Sequence, residues 1–223
     1  MRNTRTIIIT EVALAIALSS VLNFLQIRLP VNLFGGSISL AMLPIAMVAL
    51  RRGAPAGMVA GAAFGFIDLL IEPYILMPIQ VLLDYPVPYL LFGFGAGLFS
   101  TWYLRISQKA SSAGAGRRLT LGSLVIVLAL ALGGLLRLSS HTISGVFFFA
   151  EYAADFFATN PTLLLAGPVD AGLNVWIYSV SYNLIYLLPS LVGSGICLLV
   201  IAPVLARAVP VEDRSIGGIH GTK

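Results

Sequence analysis

Three pairs of polar side chains interrupt otherwise apolar runs: Asp84 with Tyr85, Arg137 with His141, and Tyr178 with Asn183. A carboxylate or guanidinium at the centre of a membrane span costs about 2.5–3.5 kcal/mol even on insertion scales, so such groups face a protein interior or a water-filled cavity. Arg137 and His141 are four residues apart and Phe148 lies seven beyond, which places all three on one broad helical face, with Gly145 leaving room between them. Trp176 and Asn183 are also seven apart and share a face, while Tyr178, Tyr182 and Tyr186 form a neighbouring stripe at four-residue spacing. An aromatic pocket with one carboxylate, one histidine and one amide suits a flat heteroaromatic cation. Rings stack on it, cation–π attraction adds about 0.5–2 kcal/mol, Asp84 supplies the countercharge, and Asn183 or a tyrosine matches an aminopyrimidine edge.

None of this requires covalent chemistry. The chain has no nucleophile elbow, no zincin helix and no paired carboxylates on one helix face. Its only lysines are Lys109 and Lys223, neither of which ends a Gly-rich loop, so ATP hydrolysis by a P-loop is excluded. Any pumping energy comes from an ion gradient or from other subunits. Cys197 is the only cysteine, which excludes an intrachain disulfide and a metal site built on thiolates; it reads as a small core residue. The expectation is a binding protein without catalysis, cofactor or metal.

The elements that must position these residues are membrane spans. Apolar residues make up 58% of the 223 and charged residues 10%, with a mean hydropathy of +0.97, which excludes both a soluble globular domain and a disordered chain. Runs near 6–25, 37–50, 54–72, 76–102, 119–150 and 174–206 predict six transmembrane helices in one domain, residues 1–223. The second run is short, which moves its start to the Gly35-Gly36-Ser37 region. Arg2, Arg5, Arg51, Arg52, Arg105, Lys109, Arg117, Arg118, Arg207, Arg214 and Lys223 then all fall on one side, the cytoplasm by the positive-inside rule, with both termini. The opposite face receives Asp68, Glu72, Glu151, Asp155 and Asp170 with Arg28 as its lone base, which suits capture of a cation. The cytoplasmic loops account for the net charge of +4, so nucleic acid is set aside as a partner. Arg2 and Arg5 before an apolar run imitate a signal peptide, but Glu11 interrupts the run and no cleavage site precedes Asn23, so it reads as a retained helix.

Within the spans, Gly53, Gly57, Gly61 and Gly65 recur every four residues and predict a close helix–helix contact. Ala13 and Ala17, with Ala15 beside them, form a shorter smooth face on the first helix, the kind a partner membrane subunit needs. Pro86 and Pro88 follow Asp84-Tyr85 directly; Pro88 frees the Asp84 carbonyl and kinks the fourth span there, as happens where a helix lines a cavity. Between spans five and six, the stretch from Glu151 to Asn174 carries the turn signals Asn160-Pro161, Gly167-Pro168 and Gly172, a length that permits a lid.

Five segments together resemble a known family in order and spacing. They are Gly35-Gly36-Ser37-Ile38-Ser39, Leu50-Arg51-Arg52-Gly53, Leu83-Asp84-Tyr85, His141-Thr142-Ile143-Ser144-Gly145 with Phe147-Phe148-Phe149, and Trp176-Ile177-Tyr178-Ser179 with Tyr182-Asn183. The family is that of the thiamine-specific S components (ThiT) of energy-coupling factor transporters, and the similarity spans nearly the whole chain. The resemblance implies an all-α six-helix membrane bundle in a prokaryotic plasma membrane that captures thiamine from outside. It further implies a complex with a transmembrane coupling subunit and two cytosolic ATPases.

Family binding residues map onto Asp84, Tyr85, His141, Phe149, Tyr178 and Asn183, with Phe34 near the position where some members place a Trp over the ligand. Ala13 and Ala17 match the motif with which such proteins dock to the coupling subunit. Asp84 stands where some members have Glu, Phe149 replaces a Trp found in some, and the connection from Glu151 to Asn174 is longer than usual. Two rivals stay open at this point. One is an S component for another vitamin or pyrimidine, such as hydroxymethylpyrimidine, riboflavin or biotin. The other is an ion-coupled secondary transporter in which Asp84, Arg137 and His141 form a relay.

Overall fold

The computed structural model describes residues 4–28, 36–108, 115–159 and 171–208. In chain order these form α1 (Thr4–Phe24), β1 (Ile27–Arg28), β2 (Ser37–Ile38), α2 (Met42–Arg52), α3 (Ala54–Ile71), α4 (Pro78–Asp84), α5 (Pro86–Gly97), α6 (Ser100–Gln108) and α7 (Ala115–Phe148), then a 3-10 turn (Ala150–Tyr152), α8 (Ala153–Thr159) and α9 (Ala171–Ala208). Among the described residues, five helical stretches are long and apolar enough to cross a membrane: Arg5–Phe24, Ala54–Ile71, Pro78–Gly97, Thr120–Phe148 and Asn174–Ala202. They coincide with five of the six expected runs.

The expected run at 37–50 takes a different form. It enters as β2, antiparallel to β1 with Ile27 opposite Ile38 and Arg28 opposite Ser37, and becomes helical only at Met42. The 11-residue α2 rises about 16 Å, roughly half a hydrocarbon core. Almost all of it is buried by its neighbours, so its apolar composition serves a protein interior and not lipid. Serine hydroxyls satisfy its non-helical entry: Ser190 Oγ accepts from the Ser39 amide at 3.1 Å, Ser39 Oγ from the Ala41 amide at 3.1 Å, and Ser19 Oγ donates to the Ala41 carbonyl at 2.8 Å. Gly53, at φ 90°, then turns the chain from α2 straight into α3.

The glycine stripe holds α3 against α5. A Cβ at Gly61 would lie 2.1 Å from the Tyr89 carbonyl oxygen, and one at Gly93 2.1 Å from the Gly57 carbonyl oxygen, so the two backbones touch with no side chain between them. The span from 78 to 97 is broken as its prolines require. α4 ends where the Tyr85 amide donates to Val81, and α5 restarts at Pro86 with Tyr85 at φ −117°, ψ −81°. Ser140 Oγ from α7 donates to the Leu83 carbonyl at 2.8 Å beside this break, replacing part of the lost helical bonding.

At the end of the bundle where α2 finishes, Glu11 of α1 receives Nε and a terminal nitrogen of Arg52, each at 2.6 Å, and a terminal nitrogen of Arg51 at 3.2 Å. On α1, Ala15 is buried against Val48, Ala56 and Ala60, whereas Ala13 and Ala17 face outward. Cys197 packs against the main hydrophobic core.

Candidate ligand-binding site

A cavity of about 560 Å³ opens at the end of the bundle where α1, α3 and α7 finish and α4 and α9 begin. Its size falls in the range of about 300–1,000 Å³ typical of small-molecule sites. The break in the fourth span delivers Asp84 and Tyr85 to its wall, α7 delivers Arg137, His141 and Gly145, and α9 delivers Tyr178, Tyr182, Asn183 and Tyr186.

Asp84 is held by a side-chain amide and faces an imidazole. Gln80 Nε2, one turn earlier on α4, donates to Asp84 Oδ2 at 2.6 Å, and His141 Nδ1 stands 3.6 Å from Oδ1. Gln80 is itself fixed: its Oε1 accepts from the Leu76 amide at 3.0 Å and its Nε2 also reaches the Tyr74 carbonyl at 3.2 Å. Tyr85 staples the α3–α4 turn, its hydroxyl donating to the Glu72 carbonyl at 2.7 Å and accepting from the Tyr74 amide at 2.8 Å. A second carboxylate, Asp68 of α3, accepts from Asn23 Nδ2 of α1 at 2.6 Å. The Tyr89 hydroxyl stands within hydrogen-bonding reach of both Asp68 and Arg137, and the Arg137 guanidinium lies over the Tyr89 ring at 3.9 Å from its centroid. At the rim, Arg28 of β1 pairs with Glu72.

The aromatic wall is continuous. Tyr178 packs on Tyr182 and Tyr182 on Tyr186, with centroids 5.8 and 6.3 Å apart, and the Tyr186 ring meets His141 edge-on at 6.2 Å. Phe156 of α8 backs Tyr178 at 5.3 Å, so the first part of the Glu151–Asn174 connection is a helix packed behind the wall; residues 160–170 lie outside the described residues. Phe149 and Tyr74 face each other at 5.8 Å across the rim. Ser179 Oγ donates to the Thr142 carbonyl at 2.9 Å and draws α7 and α9 together. This approach needs Gly145, where a Cβ would fall 2.1 Å from Ser179 Oγ.

Of the eight residues expected around a ligand, six (Asp84, Tyr85, His141, Phe149, Tyr178 and Asn183) line this cavity. Phe34 lies outside the described residues. Trp176 does not line the cavity and is 47% exposed. The side chains of α9 that line the cavity run from Tyr178 through Tyr182, Tyr186 and Ser179 to Asn183, a sector of about 140° at about 100° per residue, and Trp176 falls about 20° beyond its Asn183 edge. Phe148 also stays out of the wall: α7 ends there, and the turn at Phe149 (φ −128°, ψ 14°) brings Phe149 in instead.

Sequence reasoning placed Asp68 and Glu72 on an outer surface, yet both line the cavity, and it passed over Asn23, Tyr74, Gln80 and Tyr89. Two of these carried a signal. Asp68 sits inside an apolar run, and Gln80 precedes Asp84 by the four residues that put them on one helix face. Among the described residues no group of His, Cys, Asp and Glu could hold a metal ion.

A bundle of membrane-length helices enclosing an aromatic, carboxylate-bearing cavity defines a multi-pass membrane protein built to hold a small polar ligand. The family model described as thiamine transporter protein (Thia_YuaJ) matches residues 9–163. The thiamine transporter ThiT of Bacillus subtilis strain 168 is 32% identical over 165 residues, covering 74% of this chain and 73% of that protein. ThiT of Lacticaseibacillus paracasei is 25% identical over 183 residues, covering 79% and 77%. The solved structure of ThiT from Listeria monocytogenes aligns with a TM-score of 0.69 at 28% identity, over 93% of this chain and 97% of that one. The chain therefore belongs to the thiamine transporter (ThiT) family, whose named members are bacterial transporters and not enzymes.

Proposed function

We propose that the chain is a thiamine-binding S component of an energy-coupling factor transporter in a prokaryotic plasma membrane, acting as one unit with both termini cytoplasmic. Thiamine is a fixed thiazolium cation joined to an aminopyrimidine. The observation that carries the reading is the Asp84 carboxylate, set in an aromatic wall and supported by Gln80 at 2.6 Å, with no Lys or Arg paired to it among the described residues. Asp84 serves as countercharge, His141, Phe149 and Tyr178 offer ring faces and edges, and Tyr85 and Asn183 complete the ligand shell. The cavity opens at the acidic end of the bundle, away from Arg51 and Arg52, which suits capture from outside. No residue is assigned a covalent step. Energy then comes from a coupling subunit, docked on the outward Ala13–Ala17 face of α1, and two cytosolic ATPases.

Calorimetric titration of purified protein in detergent tests the ligand. Thiamine should bind tightly at one site, with no heat from riboflavin, biotin or hydroxymethylpyrimidine; a folded sample that ignores thiamine, or prefers one of the others, overturns the assignment. Calorimetry suits this protein because both tryptophans stand outside the cavity wall. Uptake by cells should require co-expression of the coupling subunit and ATPases, and uptake without them would remove the energy-coupling part of the reading.

A further inference from the structure

Arg137 is a buried cation in the cavity wall for which the ligand shell above has no use. Its Nε–H donates to His141 Nε2 at 3.3 Å, one turn along α7. A neutral imidazole carries one proton, and a nitrogen that accepts a hydrogen bond cannot bear it. The proton then sits on Nδ1, the nitrogen 3.6 Å from Asp84 Oδ1. The other tautomer would set two N–H groups against each other at Arg137 and two lone pairs against each other at Asp84. A doubly protonated ring would place a second cation beside the guanidinium.

Arg137 is fixed from its far side. Its guanidinium lies on the Tyr89 ring, and the Tyr89 hydroxyl reaches Asp68, itself held by Asn23. The charged and titratable groups around His141 are thus Asp84 from α4, Tyr89 from α5, Asp68 from α3 through Tyr89, Tyr186 from α9, and Arg137 on its own helix.

We propose that Arg137 is a positioning residue that locks His141 as the neutral Nδ1–H tautomer, so that the Asp84 charge is left for a cationic ligand and is not consumed by an imidazolium. The proposal rests on the thiamine-binding reading for its consequence, but the tautomer belongs to the ligand-free protein and is tested without thiamine.

The test is 15N NMR of histidine-labelled protein in a His220→Gln background, where His141 is the only imidazole, with calorimetry of thiamine binding alongside. The ligand-free protein should show a proton on Nδ1 and a bare Nε2. Arg137→Met and Arg137→Lys should each lose that signature and bind thiamine at least tenfold more weakly, with the Lys variant still folded. A purely structural cation would be rescued by lysine. A proton found on Nε2 or on both nitrogens in the parent protein overturns the proposal, as does an unchanged tautomer and affinity in Arg137→Lys. If Arg137→Met fails to fold, the parent spectrum and the Lys variant decide. If no form binds thiamine while His141 shows the Nδ1–H signature, the functional reading falls and the tautomer assignment stands.

Discussion

Apart from Glu72, which pairs with Arg28 at the cavity rim, the two ends of the bundle treat their carboxylates in opposite ways. At one end Glu11 is saturated: Arg52 grips it with two nitrogens and Arg51 adds a third, in a closed contact between α1 and α2. At the other end Asp84 and Asp68 are each held by a side-chain amide, Gln80 and Asn23, at 2.6 Å. The one buried cation there among the described residues, Arg137, is turned onto a tyrosine ring and a histidine nitrogen. An amide fixes a carboxylate without neutralising it. The saturated end is therefore built to hold helices together, and the amide-supported end retains negative charge facing a cavity.

Breaking this contrast at Asp84 should have the largest effect. Asp84→Asn keeps the size and the Gln80 neighbour while removing the charge, and loss of one partner of a desolvated charge pair costs about 3 kcal/mol. Thiamine affinity should fall on the order of 100-fold in calorimetry, with the thermal unfolding midpoint in detergent little changed. An affinity within threefold of the parent would mean that Asp84 is not the countercharge.

Glu11→Gln should do the converse. Removing one partner of a buried ion pair costs about 3–5 kcal/mol, and the partial exposure of the Glu11 side chain, 21%, scales this to about 2 kcal/mol. The protein should unfold at lower temperature and bind thiamine within twofold of the parent. A large loss of affinity with intact stability would erase the distinction between the two ends.

Gln80→Met sharpens the comparison on the amide side. It leaves the Asp84 charge but removes the donor that holds Oδ2 and the anchor on the turn at Tyr74–Leu76. A hydrogen bond to a charged group is worth about 1.5–3 kcal/mol, so affinity should drop roughly tenfold, less than for Asp84→Asn. An effect equal to that of Asp84→Asn would show that the amide matters as much as the charge.

Much of this contrast was legible in the residues. Hydropathy located the five membrane-length helices, because lipid demands about 20 apolar residues wherever a helix crosses it. Pro86 and Pro88 located the break, because a missing amide hydrogen acts locally whatever the fold. The run at 37–50 was legible as apolar but not in its form: hydropathy measures exclusion from water and cannot tell lipid from a protein interior, and the short α2 is covered by other helices. Asp68 was read as part of an acidic outer face and not as a cavity residue, since its partner Asn23 lies 45 residues away in sequence, a separation no local pattern spans. The Arg51–Arg52 pair was read as loop charge by the same logic, and its grip on Glu11 also depends on tertiary contact.

Helical spacing explains Trp176 as well, and it yields the smallest effect. Seven residues bring a side chain back to within about 20° of its starting direction, which grouped Trp176 with Asn183. Asn183, however, sits at the margin of the inward sector of α9: its Nδ2 donates to the Ser179 carbonyl at 2.7 Å, and the Tyr186 hydroxyl bonds its Oδ1. A further 20° of rotation in the wrong direction, and a position nearer the helix end, carry Trp176 past that margin to an exposed surface. Trp176→Phe should leave thiamine affinity within twofold and stability unchanged, while Tyr178→Ala, two residues on but buried in the wall, should weaken binding severalfold. Equal losses for the two would place the ligand above the cavity, against the outer rim, and would move the search for contacts from the carboxylate end toward the surface of α9.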